Sequence, residues 1–150
     1  MNKCIVIKEE CCIGCGLCTV YCRAEHSVSK DVIKAFKREV PRPVSRARIE
    51  KDGQTCFSIQ CRHCDEPWCV YSCITGAMHR ESPGGPVTVD ADRCVGCWTC
   101  ILACPFGAIA KDDASKVAAK CDLCPDREVP ACVANCPNEA LVLSEAGAPR

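Results

Sequence analysis

The chain has 150 residues, enough for one domain or two very small ones. Nineteen of them are cysteine and the formal net charge is zero, so no global basic field is available for nucleic acid. The apolar fraction of 48% falls to about 35% without the cysteines and only 5% is aromatic, which is thin for a core and points to staples of disulfide, metal or inorganic cluster.

The first stretch, MNKCIVIKEECC, carries charges and no long apolar run. It does not read as a signal peptide, and no segment approaches the ~18 apolar residues of a membrane span. An odd cysteine count with no sign of secretion argues against a disulfide framework. Free thiols in the cytoplasm of a reducing, anaerobic cell are the expectation.

In chain order, Cys4-Ile5-Val6-Ile7 reads as a strand and leads to a first cysteine group, Cys12, Cys15, Cys18 and Cys22, spaced x2, x2, x3. A cysteine-poor insertion spans residues 23–60. Within it Val32 to Phe36 predicts a short helix, Pro41 and Pro43 break regularity, and Asp52-Gly53 between apolar residues predicts a hairpin. The second group is Cys61, Cys64, Cys69 and Cys73, spaced x2, x4, x3 and followed by Thr75-Gly76-Ala77-Met78. A loop at Ser82 to Pro86 separates the two halves, and Val87-Thr88-Val89 alternates like a strand. The third group is Cys94, Cys97, Cys100 and Cys104, spaced x2, x2, x3 and followed by Phe106 to Ile109. The fourth is Cys121, Cys124, Cys132 and Cys136, spaced x2, x7, x3, with a last strand around Leu141 to Leu143. The tail from Glu145 to Arg150 is expected to be loose. Every group opens with C-x2-C and closes with C-x3-C, so the chain repeats a unit of strand, cysteine loop, helical turn and strand.

A thiolate is a soft ligand that selects zinc, copper(I) or iron–sulfur clusters. Zinc sites pair two C-x2-C units, or cysteines with histidines, across a longer spacer. Three cysteines at x2, x2 instead present three thiolates to one cubane, while a fourth before proline turns toward another cluster. Cys94 to Pro105 matches that C-x2-C-x2-C-x3-C-P pattern completely, and the fourth group ends in Cys136-Pro137. Cys22 is followed by Arg23 and Cys73 by Ile74, so two groups lack the proline. A zinc-binding structural module is the alternative class. No Ser–His–Asp set, phosphate loop or G-x-G-x-x-G is present, so the chain is not expected to bind NAD or flavin or to be an enzyme itself.

The phrases Cys61-Arg62-His63-Cys64-Asp65-Glu66-Pro67, Cys104-Pro105-Phe106-Gly107-Ala108-Ile109 and Lys120-Cys121-Asp122-Leu123-Cys124-Pro125-Asp126-Arg127 carry a resemblance. The chain resembles the four-cluster, ferredoxin-like electron-transfer subunits of anaerobic oxidoreductases. That implies an α+β fold of two intertwined ferredoxin-like two-[4Fe-4S] modules with an inserted hairpin. The outer module would comprise residues 1–30 with 110–145, the inner module 58–110, and the insertion 23–60. The resemblance implies four [4Fe-4S] clusters. One takes Cys12, Cys15, Cys18 and Cys136; a second takes Cys61, Cys64, Cys69 and Cys104. A third takes Cys94, Cys97, Cys100 and Cys73, and the last takes Cys121, Cys124, Cys132 and Cys22. With four thiolates on an oxidised core each site carries about 2−, so four add about −8 to a formally neutral chain.

The implied partners are a catalytic oxidoreductase subunit and a second redox protein, a flavoprotein or a ferredoxin. The continuation Cys22 to Asp31 resembles most the subunits that accompany nickel carbon monoxide dehydrogenase. A formate dehydrogenase or hydrogenase complex is the next alternative, and a free polyferredoxin another. Cys4, Cys11 and Cys56 are left over and are expected to be small buried residues, although Cys11 adjoins Cys12 and could replace it. His63, between two ligands, is expected to be a plain hydrogen-bonding histidine, with His26 and His79 as weaker candidates. Trp98 is expected to pack or to shield a cluster. The basic residues Lys34, Lys37, Arg38, Arg42, Arg46 and Arg48 are either a solvated face or a docking surface for an acidic partner.

Overall fold

A computed structural model describes residues 3–145. The tail at 146–150 lies outside the described residues. Its neighbour Glu145 is exposed and pairs with Lys3 at 3.1 Å.

The fold is α+β, built from short helices and four two-stranded antiparallel sheets. Cys4–Ile7 (β1) pairs with Leu141–Ser144 (β8), so the two ends of the described chain close on each other. The period-two pattern places Ile5 and Ile7 on the face shared with Leu141 and Leu143, and those residues pack with Cys18 and Cys132. Arg48–Asp52 (β2) and Thr55–Ile59 (β3) form the hairpin foreseen at Asp52-Gly53; Gly53 takes φ 59°, as a two-residue turn requires. Met78–Arg80 (β4) pairs with Val87–Val89 (β5), and Ile109–Asp112 (β6) with Val117–Lys120 (β7). This last hairpin is additional to the sequence reading. Its loop contains no glycine; instead the Asp112 carboxylate accepts the Ala114 and Ser115 N–H groups at 3.0 and 3.3 Å, and Lys116 takes φ 60°.

Each C-x3-C pair lies on or beside a short helix. Leu17–Glu25 (α1) buries Cys18 and Cys22, four residues apart and therefore on one face. Trp68–Tyr71 (α3), Thr99–Ala103 (α4) and Ala131–Ala134 (α5) serve the other three groups. In the insertion, Val32–Lys37 (α2) starts at Asp31, whose carboxylate accepts the Lys34 N–H at 2.8 Å.

The apolar interior is split in two. One cluster joins Ile5 and Leu141 with Cys18 and Cys132; the other joins Met78, Val87, Ile109 and Ala118 with Cys100. Thiols complete both, in keeping with the thin core expected from composition.

Candidate metal centres

All nineteen cysteines are free thiols. Cys12, Cys15, Cys18 and Cys136 line one cavity with Cys11, closed on its far side by Ile49 and Ser58. We refer to this as the Cys15 set. Cys136 reaches it because β8 pairs with β1 and brings the chain after α5 back to the first loop.

Among the remaining sulfurs, those that influence one another's protonation lie close together. Burial pushes the Cys69 thiol up to about 11; Lys120 opposes this, and the Cys61, Cys104 and Cys64 sulfurs add to it. Those sulfurs form the Cys64 set. Burial raises the Cys100 thiol, helped by Cys94, Cys73 and Cys97, which gives the Cys97 set. Burial pushes the Cys132 thiol up to about 12, helped by Cys22, Cys124 and Cys18, and it raises Cys121 well above the usual thiol range, helped by Cys61 and Cys132. Burial also raises Cys124, with Cys22 adding to it, so Cys22, Cys124 and Cys132 lie together; with Cys121, the fourth member that the family resemblance implies, they are called the Cys124 set. Thiols pushed up this far hold their protons in a metal-free chain, so metal loading must release them.

Hydrogen-bond donors point at the sulfurs. The N–H groups of Arg46, His63, Met78 and Ala108 reach Cys22, Cys61, Cys73 and Cys104 at 3.2, 3.3, 3.4 and 3.5 Å. The Thr99 hydroxyl donates to Cys97 at 3.5 Å. Ser58 stands 3.5 Å from Cys18, and the Cys132 thiol donates to the Gln60 side-chain oxygen at 3.8 Å. Sets of four soft thiols with donors aimed at sulfur fit thiolate-held iron–sulfur clusters, whose negative charge needs such donors.

Two glycines let backbone come close. Gly14 has φ +64°, and a Cβ there would lie 2.9 Å from the Cys56 sulfur. Gly96 has φ +67°, and a Cβ there would lie 2.5 Å from the Lys116 carbonyl oxygen. The two C-x-G-C loops are thus roofed alike: β2–β3 covers the first and the β6–β7 turn covers the third. Each loop keeps one exposed sulfur, Cys15 or Cys97, beside an exposed aliphatic residue, Ile13 or Val95.

The insertion has a role that its sequence concealed. Ser58 and Gln60 come from β3 and the residue just after it, both are buried, and both face cysteines. Their signal was the alternation of Phe57, Ser58, Ile59 and Gln60. The docking reading of the basic residues is revised in the same region. Arg46 donates to Asp122, and Arg48 binds Glu50 and the Gly107 carbonyl at 2.8 and 2.7 Å. Lys34, Lys37, Arg38 and Arg42 stay exposed.

Among the histidines, His63 is 1% exposed and accepts the Val87 N–H at 3.1 Å through Nδ1. Burial, then the charges of Lys120 and Arg80, depress its ring to about 3, so it stays neutral. His26 matters more than its sequence context suggested. Its Nε2 meets Asp122 at 3.1 Å and its Nδ1 meets the Cys22 carbonyl at 2.8 Å. Burial opposes its charge, but Asp122 and Cys22 outweigh that and raise the ring to about 9. Burial also opposes the Cys22 thiolate, yet His26 and the Arg46 N–H lower it below the usual thiol range. Asp122 further accepts the Cys124 N–H at 3.1 Å, so its oxygens are spent on protein donors and His26, Asp122 and Cys124 make a hydrogen-bonded network rather than a separate ion site. Asp122→Ala strands two cations beside Cys22; a loss of about 2 kcal/mol in unfolding free energy, read by denaturant titration of the loaded protein, is the expected outcome. His79 bonds only locally, to the Ala77 carbonyl at 3.1 Å. Trp98 is half-buried at φ 63°, with the Lys111 ammonium 5.1 Å from its ring centre.

The leftover cysteines differ among themselves. Cys4 is fully buried in β1, as expected. Cys56 donates to the Cys12 carbonyl at 3.2 Å, and Cys11 lines the Cys15 cavity.

Comparison with known proteins agrees with this donor chemistry. Residues 53–146 match the 4Fe-4S dicluster domain. The chain is 39% identical over 144 residues to YsaA of Escherichia coli (strain K12), covering 94% of this chain and 88% of that one. It is 38% identical over 141 residues to the thiosulfate reductase electron transfer subunit PhsB of Salmonella typhi, covering 89% and 70%. It is 33% identical over 159 residues to the electron transport protein HydN of Escherichia coli (strain K12), covering 95% and 87%. Among solved structures, a chain of the active site complex BamBC of benzoyl coenzyme A reductase shares the fold, with a TM-score of 0.51 at 23% identity over 95% of this chain and 76% of that one. The chain belongs to the 4Fe-4S dicluster domain family. It is an iron–sulfur electron-transfer chain, not a catalytic one. Among the described residues, no helix is long and apolar enough to cross a membrane.

Proposed function

We propose that each sulfur set holds one [4Fe-4S] cluster and that the chain relays single electrons between a catalytic oxidoreductase subunit and a second redox protein. The clusters accept and release electrons; the chain spaces them, excludes water and supplies donors to sulfur. The gathering of cysteines from distant groups into common sets carries this reading. Cys136 joins Cys12, Cys15 and Cys18, and Cys104 joins Cys61, Cys64 and Cys69.

In this reading the outer module is 1–30 with 110–145, the inner module is 58–110, and residues 23–60 are inserted between them. The order of stations follows from sulfurs that feel one another across sets. Cys132 senses Cys18, which links the Cys124 and Cys15 sets. Cys121 senses Cys61, which links the Cys124 and Cys64 sets. Cys69, inside α3, and Cys73, two residues past its end, link the Cys64 and Cys97 sets. The relay then runs Cys15, Cys124, Cys64, Cys97, and its two ends are the loops with exposed sulfur.

Cytoplasmic location fits the free thiols. The catalytic partner is proposed as an oxidoreductase subunit of the wide class served by the relatives; pairing with nickel carbon monoxide dehydrogenase rests on residues 22–31 alone. Anaerobic purification followed by iron, acid-labile sulfide and zinc analysis tests the cluster assignment. About sixteen iron and sixteen sulfide per chain are expected. Zinc without sulfide would return the chain to the structural-module class, and fewer clusters would remove one or more stations.

A further inference from the structure

Lys120, the last residue of β7, is 3% exposed. Its ammonium donates to the Val87 carbonyl on β5 and, at 3.2 Å, to the Cys121 carbonyl. Both acceptors are neutral. Among the described residues no carboxylate pairs with it, and the nearby Asp122 is held by Arg46 and His26. A buried cation without an anion is costly, and peptide carbonyls only partly offset that cost.

The missing anion is at hand when the surroundings are considered as loaded. Lys120 is bonded to the Cys121 carbonyl in one sulfur set, and the Val87 peptide it grips is held on its other side by His63, which lies between Cys61 and Cys64 of another. Lys120 therefore stands between two different sulfur sets. Its contacts also join the two modules, because Val87 lies in the inner one and Cys121 in the outer one. The Val87 peptide is gripped from both sides, its N–H by His63 and its carbonyl by Lys120.

We propose that Lys120 is the buried counter-charge at the crossing between the Cys124 and Cys64 stations, and that it holds the reduction potentials there above the values the clusters would take without it. This rests on the four-cluster reading given above. A reduced cluster carries one more negative charge than an oxidised one, so a fixed cation favours reduction. The effect is greatest for the clusters nearest the cation. Lys120 is therefore a tuning residue that acts through the clusters and touches no partner.

The test compares loaded wild type with Lys120→Met, Lys120→Gln and Lys120→Arg by anaerobic redox titration followed by electron paramagnetic resonance. Iron and sulfide are counted on the same samples. For the neutral variants we expect an unchanged cluster count and at least one station about tenfold harder to reduce, equivalent to about 59 mV for a one-electron step. Lys120→Arg should keep the wild-type value. Neutral variants that lose a cluster while Lys120→Arg keeps it would also support a charge requirement. Unshifted potentials at full cluster content overturn the proposal, as does cluster loss in all three variants, which would make the position one of shape. A wild-type chain that binds fewer than four clusters counts instead against the four-cluster reading, separately from any shift at Lys120.

Discussion

Stripping the iron from the purified chain with an anaerobic chelator is expected to abolish its cooperative thermal transition. Among the described residues, the buried apolar side chains larger than alanine, cysteines aside, are Ile5, Met78, Val87, Ile109 and Leu141 with Pro67 and Pro130; the rest of the apolar interior is alanine and cysteine. So few large side chains cannot offset the ordering of a chain this long. The sulfurs that complete both interior clusters lose the metal that ties them together once the iron is gone, and cluster binding is then largely folding free energy. Near-ultraviolet circular dichroism and a thermal melt, before chelation and after return of iron and sulfide, read the effect. A sharp transition that survives iron removal would refute it.

Gly96→Ala is expected to be the most damaging conservative substitution. The backbone there is left-handed at φ +67°, which costs a non-glycine residue about 1–2 kcal/mol. The new methyl would also stand 2.5 Å from the Lys116 carbonyl oxygen, which belongs to backbone and cannot swing aside. Relieving that contact lifts the β6–β7 turn or the cysteine loop, so a total of about 4 kcal/mol is expected, together with loss of the iron held by the Cys97 set. Gly16→Ala is the control. Its φ is +79° but nothing lies within 4 Å of the added carbon, so it should show the backbone cost alone. Equal destabilisation in the two variants would remove the steric part of the argument.

Much of this was legible in the cysteines. Their spacing follows from the chemistry of a cubane, and the strands beside them carry short apolar alternations that survive in the structure as β1, β5 and β8. Residues whose importance comes from distant partners were hidden. His26 ranked as a weaker candidate than His63 because Asp122 lies 96 positions away. Lys120 stood only at the head of the phrase Lys120 to Arg127, since nothing local says that Val87 will close over it. The β6–β7 hairpin escaped because an aspartate carboxylate does there what a glycine does at Gly53. Arg46 was grouped with its basic neighbours by composition, although its peptide N–H and guanidinium are both turned inward.

The matching roofs over Gly14 and Gly96, and the matching pairs Ile13 with Cys15 and Val95 with Cys97, would make the two mouths of the proposed relay alike. A conductor with like terminals is not a rectifier. Nothing in its frame sets a forward direction, so current through it would follow whichever docked protein sits at the lower potential. In the proposed relay the buried Lys120 near the middle would set the height of the central step and leave the direction to the partners.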